Sequence, residues 1–92
     1  MKKEHPYINI GGTTIVPKED VLGVFDLDTA STKKDTKRYL AAMDKAKHVV
    51  TVGTDLPKAF VITTKQTHDK VYITTLSAAS LHGRWERQSK YL

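Results

Sequence analysis

Residues 7–28, YINIGGTTIVPKEDVLGVFDLD, decide the fold because they place three runs of strand-forming residues in the first third of the chain. The runs on either side of Gly11 and Gly12 predict a β-hairpin, since glycine adopts the positive φ of a tight turn without steric cost. Pro17 ends the second strand, because proline has no N–H group for a ladder hydrogen bond. The third run predicts another strand, with a bulge at Gly23.

The next segment, residues 31–47, predicts the main helix. Thr32 and Asp35 have the three-residue spacing of an N-cap with a capping box. The residues predicted to face the core recur at i, i+3, i+4 and i+7, and they are Thr36, Tyr39, Leu40 and Met43.

Three further strand-forming runs follow the helix, at residues 48–52, 58–64 and 71–75, and a turn at 66–69 joins the last two as a second hairpin. Ser77 is a suitable N-cap for a short C-terminal helix at about 77–82, which Gly83 would end or bend. The order of elements predicts the α+β class, as a small single domain with an antiparallel sheet of five to six short strands and two helices.

The composition supports one small globular domain over residues 1–92, with flexible ends at 1–6 and 88–92. The chain has no cysteine, so it can form neither a disulfide framework nor a thiolate metal site, and a reducing cytoplasm is the expected location. No signal peptide precedes the fold, and no window approaches the ~18 apolar residues that a membrane span needs. We therefore expect a soluble protein with no membrane partner.

The net charge is +5, and residues 31–47 carry a net +4 of it through six Lys and Arg residues and two Asp residues. Several of these cations lie near the positive end of the helix dipole, which is an unfavourable position. This placement indicates a polyanionic partner. The alternative is an ordinary solvated face that i,i+4 charge pairs stabilise.

Enzyme chemistry has little support in the sequence. The four histidines, at positions 5, 48, 68 and 82, lack the spacing of a metal site, and Asp26 with Asp28 fits a strand end that turns. Gly11 and Gly12 lack the lysine and the following helix of a phosphate loop. Trp85 could stack on a base or contact a neighbouring subunit, and the neighbour is favoured. We expect no catalytic residue, no metal and no cofactor.

Five motifs, in order along the chain, carry a family resemblance, and they are YINIG at 7–11, IVP at 15–17, VLGVFDLD at 21–28, DLPKAFVIT at 55–63, and VYI at 71–73 with LSAASL at 76–81. Together with the helix start at 31–37, this set resembles the Rem extracellular-matrix (biofilm) regulators of Gram-positive bacteria. The likeness covers residues 7–84 and is closest to the RemB-like branch, in which a Leu-Pro-Lys step precedes the long strand.

The resemblance implies a cytoplasmic, nucleoid-associated transcriptional regulator of matrix genes that forms closed homo-oligomeric rings. It also implies contact with the phosphate backbone of double-stranded DNA through basic residues repeated around the ring. RemA-like members carry arginines after the second strand and before the long strand. Here Glu19 and Asp20 stand at the first place and residues 54–57 at the second, with only Lys58 retained.

The DNA-binding residues that we predict are therefore the remaining cations, and they are Lys33, Lys34, Lys37, Arg38, Lys58, Arg84 and Arg87. The alternative function is an oligomeric protein-interaction scaffold that has no direct DNA binding and whose basic face meets an acidic protein. A ring needs exposed strand edges, and residues 8–10 and 49–52 are the candidates for them.

Overall fold

The computed structural model of the chain describes residues 6–30 and 32–90. The elements are β1 (Tyr7–Gly11), β2 (Thr14–Pro17), a 3-10 turn (Lys18–Asp20), β3 (Val21–Asp26), α1 (Leu27–Ala30), α2 (Lys34–Lys45), β4 (Val49–Val52), β5 (Ala59–Lys65), β6 (His68–Thr74) and α3 (Ala78–Lys90). The predicted α+β class and six strands are confirmed. Of the predicted flexible ends, residues 1–5 and 91–92 lie outside the described residues, and α3 continues to Lys90.

The first hairpin is confirmed, with its turn shifted by one residue. β1 and β2 pair antiparallel, and Gly12 and Thr13 make the turn while Gly11 still pairs with Thr14. Asn9 braces this turn with its side chain: its Oδ1 accepts from the Gly11 N–H at 2.8 Å, and its Nδ2 donates to the Gly12 carbonyl at 2.9 Å. A side-chain amide that satisfies two backbone groups of a turn is a common use of asparagine.

The remaining four strands form a second sheet in the order β3-β5-β6-β4. β5 pairs antiparallel with β3 and with β6, and the β5–β6 hairpin turns at Gln66 and Thr67, both of which have positive φ. The bulge at Gly23 is confirmed, because the β3–β5 register shifts between Val21 and Gly23. β4 is an edge strand, as residues 49–52 were predicted to be.

Two features of the sheets differ from the wholly antiparallel arrangement that the sequence predicts. β1 and β2 form a separate two-stranded sheet, and β4 pairs with β6 in parallel. β3 and β4 therefore run in the same direction at opposite edges, and α2 connects them. A parallel arrangement needs a crossover of about a dozen residues, and α2 supplies it.

One face of the four-stranded sheet, which we call the sealed face, carries the main core. Side chains alternate between the two faces along a strand, and Ala59 and Val61 of β5 point to this side. The β1–β2 hairpin covers them with Ile8 and Ile10, and α3 adds Leu81, all of them at most 2% exposed. This packing explains the separate hairpin sheet, because its apolar face is buried only when it lies across β5.

The other face, which we call the open face, carries Phe60 and Ile62 of β5 beneath α2. Phe25 of β3 stacks on Phe60 with ring centroids 5.1 Å apart, yet Phe25 remains 40% exposed. The helix stripe is confirmed, because its four predicted core-facing residues are the half-buried residues of α2 and the others are exposed. No residue of α2 is fully buried, so the helix covers this face incompletely.

The start of α2 differs from the prediction. The helix begins at Lys34, its N-cap is Lys33, and no side chain caps it, so the predicted capping box is wrong. The Thr32 hydroxyl instead donates to the carbonyl of Thr29, a residue of α1, at 2.8 Å. Thr32 is therefore bonded to the preceding turn and does not cap α2. Position 31, where the predicted helix begins, lies outside the described residues.

The end of α2 is set by Lys47, which has a φ of 63°. The Lys47 N–H donates to the Asp44 carbonyl and the His48 N–H to the Met43 carbonyl, both at 2.9 Å. This pair of bonds is the Schellman motif, in which glycine is the usual residue at the left-handed position. The chain then enters β4.

α3 is about twice as long as predicted. Ser77 caps it, as expected, since its Oγ accepts from the Ser80 N–H at 3.0 Å. Gly83 neither ends nor interrupts the helix. Tertiary packing outweighs the low helix propensity of glycine here, because Trp85, two residues beyond Gly83, packs against the sealed core.

Candidate nucleic-acid interface

A stripe of cations runs along the outer side of α2. At about 100° per residue, Lys34, Arg38 and Lys45 lie within about 40° of one another, opposite the residues that face the sheet. All three side chains are exposed. Among the side chains that the structure describes, none of the three takes part in an ion pair. We call these three residues the outer stripe.

The other predicted cations of this segment flank the outer stripe. Lys37 is exposed on one side of the helix, and Lys33 is exposed at the N-cap, where it borders a groove with Asp26 and Thr29. Asp35 and Asp44 are exposed as well, on opposite sides of the stripe. The outer stripe is therefore a narrow positive line between two carboxylates, rather than a broad basic patch.

Lys58 lies at the end of the sheet where α2 begins. Its N–H donates to the Thr74 carbonyl and its carbonyl accepts from the Leu27 N–H, both at 2.9 Å. Leu27 opens α1, which leads into α2, so the fold brings Lys58 to the N-terminal end of this helix. The side chain is exposed.

Arg84 and Arg87 are not brought together with the α2 cations. Both belong to α3, which packs on the sealed face, whereas α2 lies on the open face. Arg84 is half-buried and its Nη1 donates to Asn9 Oδ1 at 3.1 Å, so it braces the first hairpin. Arg87 is exposed. The seven predicted residues therefore divide between two sides of the molecule.

Trp85 has an internal role that the sequence did not indicate. It is half-buried against the sealed core, and the Lys18 ammonium lies 5.1 Å from the centroid of its ring. The Lys18 Nζ also donates to the Trp85 carbonyl at 3.2 Å. Both roles considered for Trp85 from the sequence, base stacking and contact with a neighbour, compete with this packing.

A polar cleft of about 470 Å³ lies between β2 and the β5–β6 hairpin, and the sequence did not predict it. Its acidic, basic and histidine lining residues are Asp20, His48, Lys65, His68, Asp69 and Lys70. These residues come from three separate parts of the chain, so no local motif could have predicted the cleft. The cleft contains two lysines and two aspartates, so the formal charges of these four side chains cancel at neutral pH.

An apolar groove of about 250 Å³ runs between α2 and the open face. Phe25, Phe60, Ile62 and Tyr39 line it, and Asp35 stands at its border. Burial, and to a lesser extent the negative charge of Asp69, raise the pKa of the Tyr39 phenol above its ordinary value of 10.0. The Tyr39 phenol is therefore neutral at physiological pH, and Asp35 adds a negative charge at the border of a mainly apolar groove.

The comparisons with known proteins add no relative: no protein-family model matches the chain, and no curated protein does. No helix of the described part of the chain is long and apolar enough to cross a membrane. Within that same part, no three His, Asp or Glu side chains form a group that could hold a metal ion. The surface features described above that could support a function are the outer stripe, the apolar groove and the polar cleft.

Proposed function

We propose that this protein is a transcriptional regulator of the Rem type that assembles into rings and holds duplex DNA through α2. Two observations support the proposal. The ordered motifs of the sequence resemble the RemB-like branch along most of the chain, and the cations of α2 point away from the sheet. The matrix genes of a biofilm are the targets that the resemblance suggests.

The outer stripe carries the proposal. Lys34 and Lys45 are eleven residues apart, so the stripe is about 16 Å long at 1.5 Å per residue. A duplex presents about nine phosphate charges along the same length. Among the described side chains, no ion pair engages these exposed cations, so they are available for such contacts, and Lys37 adds a fourth cation beside the stripe.

Ring assembly would make this narrow site effective. One copy with three or four cations binds phosphate weakly at physiological salt. Copies in a ring convert later contacts into intramolecular ones, so that affinity rises without any new kind of contact. β3 and β4 are the edges of the four-stranded sheet within the described residues, and strand edges are templates for association.

The seven predicted residues differ in how close they lie to the proposed DNA surface. Lys34, Lys37 and Arg38 belong to the proposed DNA surface, and Lys45 joins them as a residue that the initial set lacked. Lys33 and Lys58 stand at its end, where α2 begins. Arg84 and Arg87 face the other side, so they would need a second DNA contact, and the bond from Arg84 to Asn9 gives Arg84 a structural use.

The test is the binding of a labelled duplex by the full chain, measured by fluorescence anisotropy over a series of salt concentrations. Lys34→Glu with Arg38→Glu should weaken binding at least ~10-fold and flatten the salt dependence, because phosphate contacts release counterions. The matched control is Lys65→Glu with Lys70→Glu, which makes the same charge change in the polar cleft. If both variants lose affinity equally, the loss reflects net charge alone. If the first variant loses no affinity, α2 is not part of the DNA interface.

A protein-interaction scaffold without DNA binding is the second candidate. The apolar groove beside α2 and the two carboxylates that flank the outer stripe favour it, because both suit a protein partner better than a duplex. Purification with and without nuclease distinguishes the two functions. Nucleic acid that co-purifies with the protein, seen as a raised absorbance ratio, supports the regulator, and clean protein with no duplex binding supports the scaffold.

A further inference from the structure

Leu56 is 81% exposed, more than any other large hydrophobic side chain that the structure describes. It lies in the loop of residues 53–58 between β4 and β5. Pro57 follows it, and a residue before proline is restricted to extended conformations, so the loop presents Leu56 in a narrow range of directions. A single exposed leucine is common at a protein surface, so its meaning depends on whether a matching surface exists to receive it.

The apolar groove beside α2 has the size and chemistry to receive such a side chain. Its volume of about 250 Å³ is bounded by Phe25, Phe60, Ile62 and Tyr39. Phe25 is 40% exposed although it stacks on Phe60. The same molecule has therefore an exposed leucine and an open apolar groove that its own leucine does not fill.

Charges beside the two features are complementary. Asp55 and Lys58 flank Leu56, and both are exposed. Asp35 borders the groove, while Lys33 borders the adjoining groove, which shares Phe25 with it. Each feature thus carries one acid and one base, so a leucine in the groove could bring Lys58 towards Asp35 and Asp55 towards Lys33.

We propose that Leu56 of one copy inserts into the apolar groove of a second copy of this chain. The inference rests on the ring assembly of the proposed function and assigns its contact. The two surfaces are different, so the contact is heterologous and can repeat around a ring. It also leaves the outer stripe exposed, because Tyr39, which lines the groove, lies about 120° around α2 from the centre of the stripe.

The assignment changes the roles of two cations. Lys33 and Lys58 become contacts between copies, whereas Lys34, Arg38 and Lys45 stay available for DNA. Lysine is an unfavourable N-cap residue. A charge contact with a second copy would explain why Lys33 occupies this position.

The experiment is sedimentation velocity on the full chain and on Leu56→Asp. The wild type should sediment as an assembly, and Leu56→Asp should be monomeric at concentrations at least ~10-fold above those at which the wild type assembles, because a carboxylate would have to be buried in the groove. Ile15→Asp is the matched control, since Ile15 is 59% exposed on β2 and lies outside the four-stranded sheet whose edges are considered for assembly. Circular dichroism checks that both variants keep the fold.

A charge exchange makes the test specific. Lys58→Glu and Asp35→Lys should each weaken assembly, and the double variant should restore it, because the pair then attracts again. Restoration supports the contact. Additive losses in the double variant overturn it, as does an unchanged assembly of Leu56→Asp or an equal dissociation of Ile15→Asp.

Failure of the inference and failure of the proposed function give different results. A wild type that assembles while Leu56→Asp assembles equally well overturns the inference alone. A wild type that assembles through Leu56 without binding a duplex supports the inference and removes the DNA function. A wild type that stays monomeric at all concentrations overturns both the contact and the ring.

Discussion

The two faces of the four-stranded sheet use the same strands in different ways. On the sealed face, the β1–β2 hairpin and α3 bury Ile8, Ile10 and Leu81 to 2% exposure or less. On the open face, α2 contributes no fully buried residue, and Phe25 stays 40% exposed. α2 therefore covers the open face less completely than the hairpin and α3 cover the sealed face, and apolar surface and charge stay exposed there.

The polar groups of the two faces follow the same division. Thr74 is fully buried on the sealed side, and its hydroxyl donates to the Ile10 carbonyl at 2.7 Å and accepts from the Leu76 N–H at 3.2 Å. A buried polar group with both kinds of bond satisfied holds the hairpin to the sheet. Within the described residues, the charged groups of the α2 cations make no such internal bonds.

Truncating one leucine on each face should give the largest difference. Leu81→Ala should lower the free energy of unfolding by about 3 kcal/mol, because it removes a fully buried side chain from a packed core. Leu40→Ala on α2 should cost about 1 kcal/mol, since that side chain is only half-buried. Urea unfolding at one low protein concentration measures both. Equal costs would mean that the open face is as well packed as the sealed one.

Adding one methyl group to the first hairpin should give the next largest effect. Gly11 has a φ of 142°, and a Cβ there would lie 2.8 Å from both Thr74 Oγ1 and Val52 Cγ1. Gly11→Ala should therefore cost at least about 2 kcal/mol, since strain and overpacking combine.

Gly12→Ala is the control for this hairpin. Gly12 has a φ of 53° and nothing within 4 Å of its would-be Cβ, so the variant should cost about 1 kcal/mol through strain alone. The same unfolding measurement compares the two variants. A tolerated Gly11→Ala would show that the sealed face has room at this point.

A gain in stability is expected at the end of α2. Lys47 occupies a left-handed position that glycine adopts without strain, so Lys47→Gly should stabilise the protein by about 0.5 kcal/mol after the entropy cost of glycine is subtracted. The midpoint of thermal unfolding should rise. Lys45→Gly is the control within the helix and should lower it. A fall in both variants would contradict the strain at Lys47.

The smallest expected effect is the titration of Tyr39. Burial and the charge of Asp69 raise its pKa, so the native state favours the protonated phenol more strongly than the unfolded state does. The resulting stabilisation is complete below the unfolded pKa and is lost as the pH rises through the higher folded pKa.

Asp69→Asn tests the second of these causes. The substitution removes a negative charge, so the pKa of Tyr39 should fall towards 10.0 without reaching it, because burial remains. The difference in phenolate absorbance between the protein and its Tyr39→Phe variant isolates this tyrosine. An unchanged pKa of Tyr39 would mean that the charge of Asp69 does not act on this phenol.

Much of the local structure was predictable, because it depends on residues close together in the chain. The first hairpin follows from Gly11 and Gly12, the bulge from Gly23, and the inward stripe of α2 from apolar residues three and four apart. The exposure of Lys34 and Arg38 follows from the same period. The start of α2 was predicted wrongly, because the Thr32 hydroxyl, which was expected to cap the helix, bonds to Thr29 of α1 instead.

The positions of distant groups were not predictable, because they depend on which surfaces pack. The bond from Thr74 to Ile10 spans 64 residues, and the bond from Arg84 to Asn9 spans 75. No local sequence pattern predicts either bond, and the second gives Arg84 a structural partner in the first hairpin. The polar cleft arises in the same way from three separate parts of the chain.

What the sequence alone determined is therefore the set of elements, their turns and the side of α2 that carries positive charge, since periodicity and turn chemistry act within a few residues. The tertiary structure decided that β4 pairs in parallel, that the hairpin seals only one face of the sheet, and that Phe25, Phe60 and Tyr39 form a groove. These outcomes depend on where apolar surface can be buried across the whole chain, and that is a property of the assembled layers.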